Sequence, residues 1–479
     1  MSGFKEYENY DGIGINQLLK RGEISQHEVV AAAISKIEAS NPPLNAVINQ
    51  MFDLALKQAG RPMPDSPLAG VPMLLKDERA DYKGVVTGNG CKLYDHVVAR
   101  QDAHIVKRYK AAGLIVVGKA NLPELGISVS TESVRHGPAR NPWNTDLTAG
   151  GSSGGSAVAV AARMVPIAHG TDAGGSIRIP ASFCGAFGLK PTRARISSGP
   201  IHGEAWGGMT NEHAITRSVR DSAALLDASA GQATGDPYFP KAPDNSFLSE
   251  VERDPGRLRI GLSLTAPSGE VLDAGIVAAT QRTATLLESL GHEIISLGRP
   301  PFDKKAFDDA FRIVGGSYIA SSLRAIEKEN GQSLLRDDIE QMTWEILEEA
   351  ASVDGVSFIN AREFMHGIGR QLAGWCDQVD VVLTPTVGCE PFPLGLLDPR
   401  RKDMFEKLWE VMRTMNPFCM IANVTGRPAM SVPIEMSLAG MPIGMHFIGP
   451  YAGEALLFRL AGQLERAAPW DHRRPLVGA

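Results

Sequence analysis

Two glycine-rich segments of this chain carry serines in a setting typical of nucleophilic chemistry. Residues 148–156 read TAGGSSGGS and contain Ser152, and residues 172–180 read DAGGSIRIP and contain Ser176. Glycine lets a turn adopt positive φ and lets the backbone approach a ligand closely. A serine held in such a turn becomes a nucleophile when a neighbouring group takes its proton. The two segments therefore predict chemistry rather than packing.

A lysine upstream of both segments could take that proton. Lys76 is the last residue but one of the segment GVPMLLKD, residues 70–77. A lysine side chain has an ordinary pKa near 10.4, so it serves as a base at neutral pH only where burial lowers that value. The apolar residues before Lys76 favour burial, whereas the neighbouring Asp77 would act in the opposite direction.

These segments, with several further motifs, resemble the amidase signature family. In chain order the motifs are GVPMLLKD at 70–77, NLPELG at 121–126, GPARNPW at 137–143, the run 149–192 with both serine loops and GLKPT, GRPAMSVP at 426–433 and GMPIG at 440–444. The resemblance extends from about Leu18 to about Arg466, nearly the whole chain. The amino-acid sequences of residues 161–166 and 176–190 are most similar to those of the bacterial branch of the family that includes aminohexanoate cyclic-dimer hydrolase. A glycine-rich loop alone would be weak evidence, but the long run with a lysine upstream is specific.

The resemblance implies a Ser-cisSer-Lys triad. Ser176 would be the nucleophile that forms an acyl-enzyme, and Lys76 would be the base that acts through Ser152. The peptide bond of Ser152 is expected to be cis. Activity would rise with pH as Lys76 loses its proton.

Other residues of the two loops are expected to support this triad. Ser153 would hydrogen-bond around the lysine, and Asp172 with Arg178 would form an ion pair that holds the turn of Ser176. Backbone N–H groups at that glycine turn would form the oxyanion hole. The expected donors are those of Ala173, Gly174, Gly175 and Ser176.

The residues of the substrate pocket are predicted from the resemblance to the family. Position in loops that face the cleft in this family gives five candidates: Thr131, Trp206, Met209, Tyr318 and Cys419. The segment at 206–209 and the methionine-rich segment 412–420 favour an apolar pocket that could accept an aryl group. A resemblance at the level of a family branch does not fix the substrate.

Three other kinds of site fit the sequence less well. The glycine loop before a helix could bind phosphate, but it lacks the Gly-Lys-Ser/Thr ending of a P-loop. The histidines lack the spacing of a metal site or of a histidine-based triad. Cys184 lies near the second loop, where packing is the more usual role of a cysteine. No metal or cofactor is therefore expected.

Composition narrows the classes of partner. The 479 residues are 43% hydrophobic and 21% charged, with a net charge of −6, which is ordinary for a globular enzyme. No block of lysine and arginine indicates nucleic-acid binding, and no apolar run reaches the roughly 18 residues that span a membrane. Five scattered cysteines and a polar, acidic N-terminus without signal-peptide character favour reduced thiols in the cytoplasm.

Helical and strand patterns alternate along the chain. A capping-box pattern at Ser25 precedes one helix, and helices at about 103–112 and 274–290 are each followed by a short strand pattern. The alternation predicts one large α/β domain, residues 1–479, with a mixed, largely parallel twisted sheet covered on both faces by helices. Residues 304–375 are expected to form a mostly helical excursion, and residues 230–255 a long surface loop.

The leading hypothesis is a free-standing amidase acting on a small carboxamide, anilide, hydrazide or cyclic amide. The alternative is the A subunit of a tRNA-dependent amidotransferase, which shares the family signature but must dock partners; the acidic balance argues weakly against it. A binding protein on an inactive scaffold is disfavoured because all three triad residues are present. The resemblance also makes a homodimer possible.

Overall fold

A computed structural model describes the protein over residues 4–331 and 333–477, and one large sheet runs through it. The thirteen strands within these residues are β1 Val47–Gln50, β2 Pro72–Lys76, β3 Ile115–Ala120, β4 Glu132–Ser133, β5 Gly137–Pro138, β6 Ile167–Asp172, β7 Phe187–Lys190, β8 Asn211–Thr216, β9 Arg259–Leu262, β10 Glu293–Ser296, β11 Val381–Pro385, β12 Ala429–Met436 and β13 Pro442–Ile448. Among the described residues, eleven strands form the sheet in the order β1-β3-β2-β6-β8-β7-β12-β13-β11-β9-β10, and β4 pairs with β5.

Helices cover this sheet on both faces. Those of the described chain are α1 Gly12–Lys20, α2 Gln26–Leu44, α3 Phe52–Ala59, α4 His104–Ala111, α5 Gly154–Ala161, α6 Arg178–Cys184, α7 Val219–Ser229, α8 Phe247–Glu250, α9 Ala274–Ser289, α10 Lys304–Asn330, α11 Gln341–Ala351, α12 Gly355–Cys376, α13 Met404–Met415, α14 Cys419–Thr425 and α15 Glu454–Ala467. The α/β class and the mixed sheet with helices on both faces are confirmed.

The sheet contains more antiparallel pairing than the helix–strand alternation suggested. In the described chain six of its ten neighbouring strand pairs are antiparallel, and the parallel ones are β2 with β3 and β6, and β9 with β10 and β11. One of the antiparallel pairs has a local cause, because β12 and β13 are joined by a short turn, residues 437–441. A connection this short joins antiparallel strands, since a parallel pair needs a crossover of a dozen residues or more.

The parallel pair β2 and β6 positions the two segments singled out in the sequence. Met73 pairs with Ile167 and Leu74 with Ala168, so both strands run in the same direction and end at the same edge of the sheet. Lys76 is the last residue of β2, and Asp172 is the last residue of β6. Because the carboxyl ends of neighbouring parallel strands meet at one edge, the lysine and the second serine loop come together there.

Burial on both faces makes this edge rigid. Successive residues of β2 point to opposite sides of the sheet. Met73 and Leu75 pack into one hydrophobic cluster and Leu74 into another, and all three are fully buried. The second cluster includes Val158 and Val160 of α5, so the helix between the two serine loops packs directly against the strand that carries the lysine.

Several local predictions can be compared with the structure. Ser25 forms the expected capping box with Glu28 at the start of α2, and the segment predicted as a helical excursion contains α10, α11 and most of α12. The predicted loop 230–255 is wrong in one part, because α8 forms within it. Phe247 is only 1% exposed and packs against the ring of Phe458, with the ring centroids 5.7 Å apart.

No helix of the described chain is long and apolar enough to cross a membrane. The five cysteines are free thiols in the described chain.

Candidate active site

Lys76 lies at the centre of a group of polar side chains at the end of β2. Its side chain is fully buried, and its Nζ donates hydrogen bonds to Oγ of Ser152 at 2.6 Å and to Oγ1 of Thr171 at 2.7 Å. Oε2 of Glu78 lies 2.9 Å from the same nitrogen. The hydroxyl of Thr171 donates in turn to Oε2 of Glu78 at 2.8 Å.

Burial lowers the pKa of Lys76 below its ordinary value, which is the direction that a base requires. The carboxylates of Glu78, Asp172 and Glu212 act against this shift, and Glu78 has the largest opposing effect. The sequence pointed to Asp77 as the opposing charge, and that assignment is wrong. The Asp77 carboxylate accepts from the backbone N–H of Gly88 at 2.9 Å and lies 3.3 Å from Nζ of Lys119.

The loop of Ser152 connects the lysine to the second serine loop. The peptide bond between Gly151 and Ser152 is cis, as the resemblance implied. The backbone N–H of Ser153 donates to the carbonyl of Ser176 at 3.1 Å. The Ser153 hydroxyl contacts the backbone N–H and C=O of Thr171, each at 3.3 Å, so it supports the lysine through Thr171 rather than by contacting Nζ.

An ion pair without solvent exposure holds the loop of Ser176. Asp172 accepts from Nε and Nη2 of Arg178 at 2.9 and 2.8 Å, and both side chains are fully buried. Burial alone would raise the pKa of Asp172, but the guanidinium of Arg178 holds it well below its usual range. Gly175 has φ of +128°, and a Cβ there would lie 2.7 Å from Cδ1 of Ile179. Only glycine fits this turn without displacing neighbours.

The backbone of this turn can donate hydrogen bonds to an anionic oxygen. In the described part of the chain, the N–H groups of Ala173, Gly174 and Ser176 have no hydrogen-bond acceptor, and these three residues line a cleft. The fourth predicted donor, Gly175, is engaged, because its N–H donates to Oδ1 of Asp172 at 2.8 Å. Ser176 itself is half-buried, so its hydroxyl can be reached from the cleft.

Asp172→Ala should strongly destabilise the protein, because it would leave the guanidinium of Arg178 buried without its counter-charge. Removing one partner of a buried ion pair typically costs about 3–5 kcal/mol. The measurement is the free energy of unfolding in urea. The control is Asp244→Ala, which breaks a pair with Lys241 whose side chains are 80% and 81% exposed and should cost less than about 1 kcal/mol. Equal effects of the two variants would contradict a structural role for the buried pair.

The cleft above the lysine and the serines is mostly apolar. It encloses about 970 Å³, part of it open to solvent. Its polar and charged lining includes Glu78, Arg79, Ser152, Thr171, Ser176, Arg312 and Glu349. The large apolar side chains that line it are Leu125, Ile127, Val129, Trp206, Phe311, Ile319, Ile346, Phe405, Leu408, Trp409, Met412 and Met420.

Of the five pocket candidates from the sequence, Trp206 lines this cleft and four do not in the described structure. Thr131 is buried, and its hydroxyl donates to the carbonyl of Gly150 at 2.9 Å. Met209 is buried in the core. The buried thiol of Cys419 donates to the carbonyl of Thr386 at 3.2 Å. Tyr318 faces a separate surface depression, where its ring packs against Phe358.

Glu78, the lining from α10 and α11, and the part of α13 before Met412 were not predicted from the sequence. Glu78 stands two residues after Lys76, but it lies in the turn that follows β2, where the alternation of a strand no longer predicts the direction of a side chain. The methionine-rich segment did indicate Met412 and Met420. For Phe311 and Ile346 there was no such signal, since a helical residue that faces a cleft resembles one that faces the core.

Known proteins are similar to this chain over almost its full length. The model of the Amidase family matches residues 28–458. A 6-aminohexanoate-cyclic-dimer hydrolase of Pseudomonas sp. (strain NK87) is 37% identical over 469 residues, which cover 96% of this chain and 95% of that protein. The structure of 6-aminohexanoate cyclic dimer hydrolase complexed with substrate superposes with a TM-score of 0.92 at 35% identity, over 98% of this chain and 100% of that one.

Two further structures are similar at lower identity. A bacterial aryl acylamidase of the amidase signature family has a TM-score of 0.87 at 28% identity, with 97% of each chain covered. The A subunit of glutamyl-tRNA(Gln) amidotransferase from Thermotoga maritima has a TM-score of 0.78 at 26% identity, with 99% of each chain covered.

Proposed function

Since this chain belongs to the amidase signature family, we propose that it hydrolyses a small, largely apolar amide through an acyl-enzyme on Ser176. As a member of that family it is an amidase, which hydrolyses carbon–nitrogen bonds other than peptide bonds. The observation that carries the mechanism is the hydrogen bond of 2.6 Å between Lys76 and Ser152 at the cleft of Ser176.

In the proposed first step, Oγ of Ser176 attacks the amide carbon. Its proton passes to Oγ of Ser152, whose own proton passes to Nζ of Lys76. The contact between Lys76 and Ser152 and the shared cleft of both serines support this order. The leaving amine then takes the proton back, and water releases the acyl group by the same route in reverse.

The negative charge of the tetrahedral intermediate would be stabilised by the turn of Ser176. The N–H groups of Ala173, Gly174 and Ser176 are proposed as the oxyanion hole, without Gly175. Each such donor typically contributes about 10²–10³ in rate. With a lysine base and backbone donors, the chemistry requires no metal or cofactor.

The lining of the cleft supports an apolar acyl or amine group, including an aryl ring. Trp206 lies beside Phe311, with the ring centroids 5.6 Å apart. A cleft of this kind favours uncharged substrates with substantial apolar surface. Anilides and cyclic amides fit this description better than short, polar carboxamides.

Trp206→Ala should raise KM for an anilide by about tenfold, which corresponds to the loss of roughly 1.4 kcal/mol of apolar contact. The KM for a short carboxamide such as propionamide should change much less, because a short acyl group has little apolar surface to place against this ring. Steady-state kinetics on both substrates checks the difference. Equal changes for both substrates would contradict a binding role for Trp206.

The alternative function, that of the A subunit of an amidotransferase, has weaker support. That relative is more distant than the cyclic-dimer hydrolases in both identity and TM-score. A stable, partner-free enzyme that hydrolyses simple amides would favour the leading proposal. Glutaminase activity that depends on added partners would favour the alternative.

The proposal also places the enzyme in the cytoplasm, with a small-molecule amide as its partner, no nucleic acid and a possible homodimer. Free thiols support a reducing compartment. Size-exclusion chromatography with light scattering tests the dimer.

The first experiment combines a substrate panel with a covalent probe. The purified protein is incubated with carboxamides, anilides, hydrazides and cyclic amides, and separately with a fluorophosphonate read by intact mass and peptide mapping. Labelling at Ser176 with turnover of one class is the expected result. Neither labelling nor turnover would overturn the proposal and favour a partner-dependent component of a complex or an inactive scaffold.

A further inference from the structure

Glu78 is a half-buried carboxylate that the mechanism above does not use. It lies in the turn that follows β2, its side chain is 17% exposed, and that exposed part faces the cleft. Its Oε2 is 2.9 Å from Nζ of Lys76 and accepts from the hydroxyl of Thr171 at 2.8 Å. A carboxylate in contact with the base of a hydrolase must influence when that base is available.

Two hydrogen bonds and one ion pair around Nζ of Lys76 fix the direction of its lone pair. As an ammonium, Nζ has three N–H groups, and the acceptors in reach are Ser152, Thr171 and Glu78. An ionised carboxylate has no proton to donate, and the hydroxyl proton of Thr171 is directed to Glu78. When Lys76 is neutral, its two N–H groups therefore point to Thr171 and Glu78. The lone pair is left facing the hydroxyl of Ser152.

We propose that Glu78 is a positioning residue for the base: it directs the lone pair of Lys76 to Ser152, and its charge sets the pH at which that lone pair becomes available. The inference depends on the proposed function, because it assigns Lys76 the role of base. Glu78 acts through Lys76 and transfers no proton itself.

The other charges near Lys76 are already paired. Asp172, on the neighbouring strand β6, binds Arg178 with both oxygens. Glu212, on β8, lies 3.3 Å from both Arg79 and His169. Glu78 is thus the carboxylate in direct contact with the lysine. Because an opposite charge within about 4–6 Å favours the charged form, Glu78 raises the pKa of Lys76 against the lowering effect of burial.

The environment of Glu78 keeps it ionised. Burial alone would raise the pKa of Glu78. The charge of Lys76 has the largest opposing effect, Arg79 and the Thr171 hydroxyl add smaller ones, and together they hold this pKa below its usual value. His202 is another titratable group near Glu78; burial lowers its pKa to about 4, so it is neutral above that pH.

The test is the pH dependence of kcat/KM and of the fluorophosphonate labelling rate, measured for wild type, Glu78→Gln and Glu78→Asp. Removing the charge should move the ascending limb of both profiles to lower pH by about 1–3 units. Aspartate keeps the negative charge, but its side chain is one methylene shorter and holds that charge farther from Lys76. The ascending limb of Glu78→Asp should therefore also move to lower pH, by less than that of Glu78→Gln. Glu349→Gln is the control, because Glu349 also lines the cleft but pairs with Arg312; its limb should stay at the wild-type pH.

The outcomes of this test distinguish the role of Glu78 from the proposed function. A limb that stays in place or moves to higher pH in Glu78→Gln overturns the inference, since a merely structural residue would alter rate or stability without moving the limb. If that variant fails to fold by circular dichroism, Glu78→Asp decides, and an unchanged limb there overturns the inference. Wild type that is not labelled at Ser176 would overturn the proposed function itself, whereas labelled wild type with an unmoved limb would overturn the role of Glu78 alone.

Discussion

Ser176→Ala is expected to abolish amide hydrolysis and fluorophosphonate labelling while the protein keeps its fold. Loss of the nucleophile in a serine hydrolase lowers kcat by about 10⁶-fold. The substitution removes only the hydroxyl, and the carbonyl of residue 176 still accepts from the N–H of Ser153. Stability should therefore change little although activity is lost.

The measurement is kcat on the best substrate of the panel, with intact mass after incubation with the probe and a thermal melt. Ser156→Ala is the matched control. Ser156 also lies in the first glycine-rich segment, but its buried hydroxyl donates to the carbonyl of His169 at 2.7 Å, away from the cleft. That variant should still be labelled at Ser176. Substantial turnover by Ser176→Ala, or a label on another serine, would contradict the assignment of the nucleophile.

The features that could be predicted from the sequence lie close together along the chain or at one edge of the sheet. The serine loops, the lysine and the helix α5 lie within about a hundred residues, and the alternation of helix and strand places them at one edge of a sheet. Asp172 and Arg178 are six residues apart, so their pairing across a single turn could be anticipated. These features depend on backbone geometry that the glycines and the apolar residues specify.

The cleft could not be predicted in the same way. Much of its apolar wall comes from α10, α11 and α13, which lie more than a hundred residues beyond Ser176. Their packing over the sheet is set by contacts that no local pattern encodes. The pocket candidates failed for a related reason. Thr131 and Cys419 are close in space to the catalytic loops, but their side chains bind backbone carbonyls and face away from the cleft.

The engaged N–H of Gly175 illustrates the limit most clearly. From the sequence, the four residues of the glycine turn are equivalent candidates for the oxyanion hole. In the structure, Asp172 accepts from Gly175 and also pairs with Arg178. One carboxylate thus holds the turn and removes one donor from it. Which donors remain free depends on this tertiary contact rather than on the loop's composition.

Lys76→Met should lower kcat by about 10⁴-fold and remove the plateau that the pH profile of the wild type reaches once Lys76 is deprotonated. The base form of Lys76 is populated above its folded pKa, which burial lowers from the ordinary value. Wild-type activity should therefore increase with pH up to that pKa and then level off. Without the lysine, the residual rate should depend on hydroxide and keep rising with pH.

Two further variants separate this chemical effect from a loss of stability. Lys119→Met removes another fully buried lysine, which lies on the neighbouring strand β3 and contacts Thr87 and Asp77; it should destabilise the protein but keep the plateau. Lys76→Met combined with Glu78→Gln removes both charges of the pair. Removing both charges usually destabilises a protein less than leaving one of them buried without its partner. The double variant should fold and remain inactive. If it instead regained the wild-type rate and pH profile, Lys76 would not be the base.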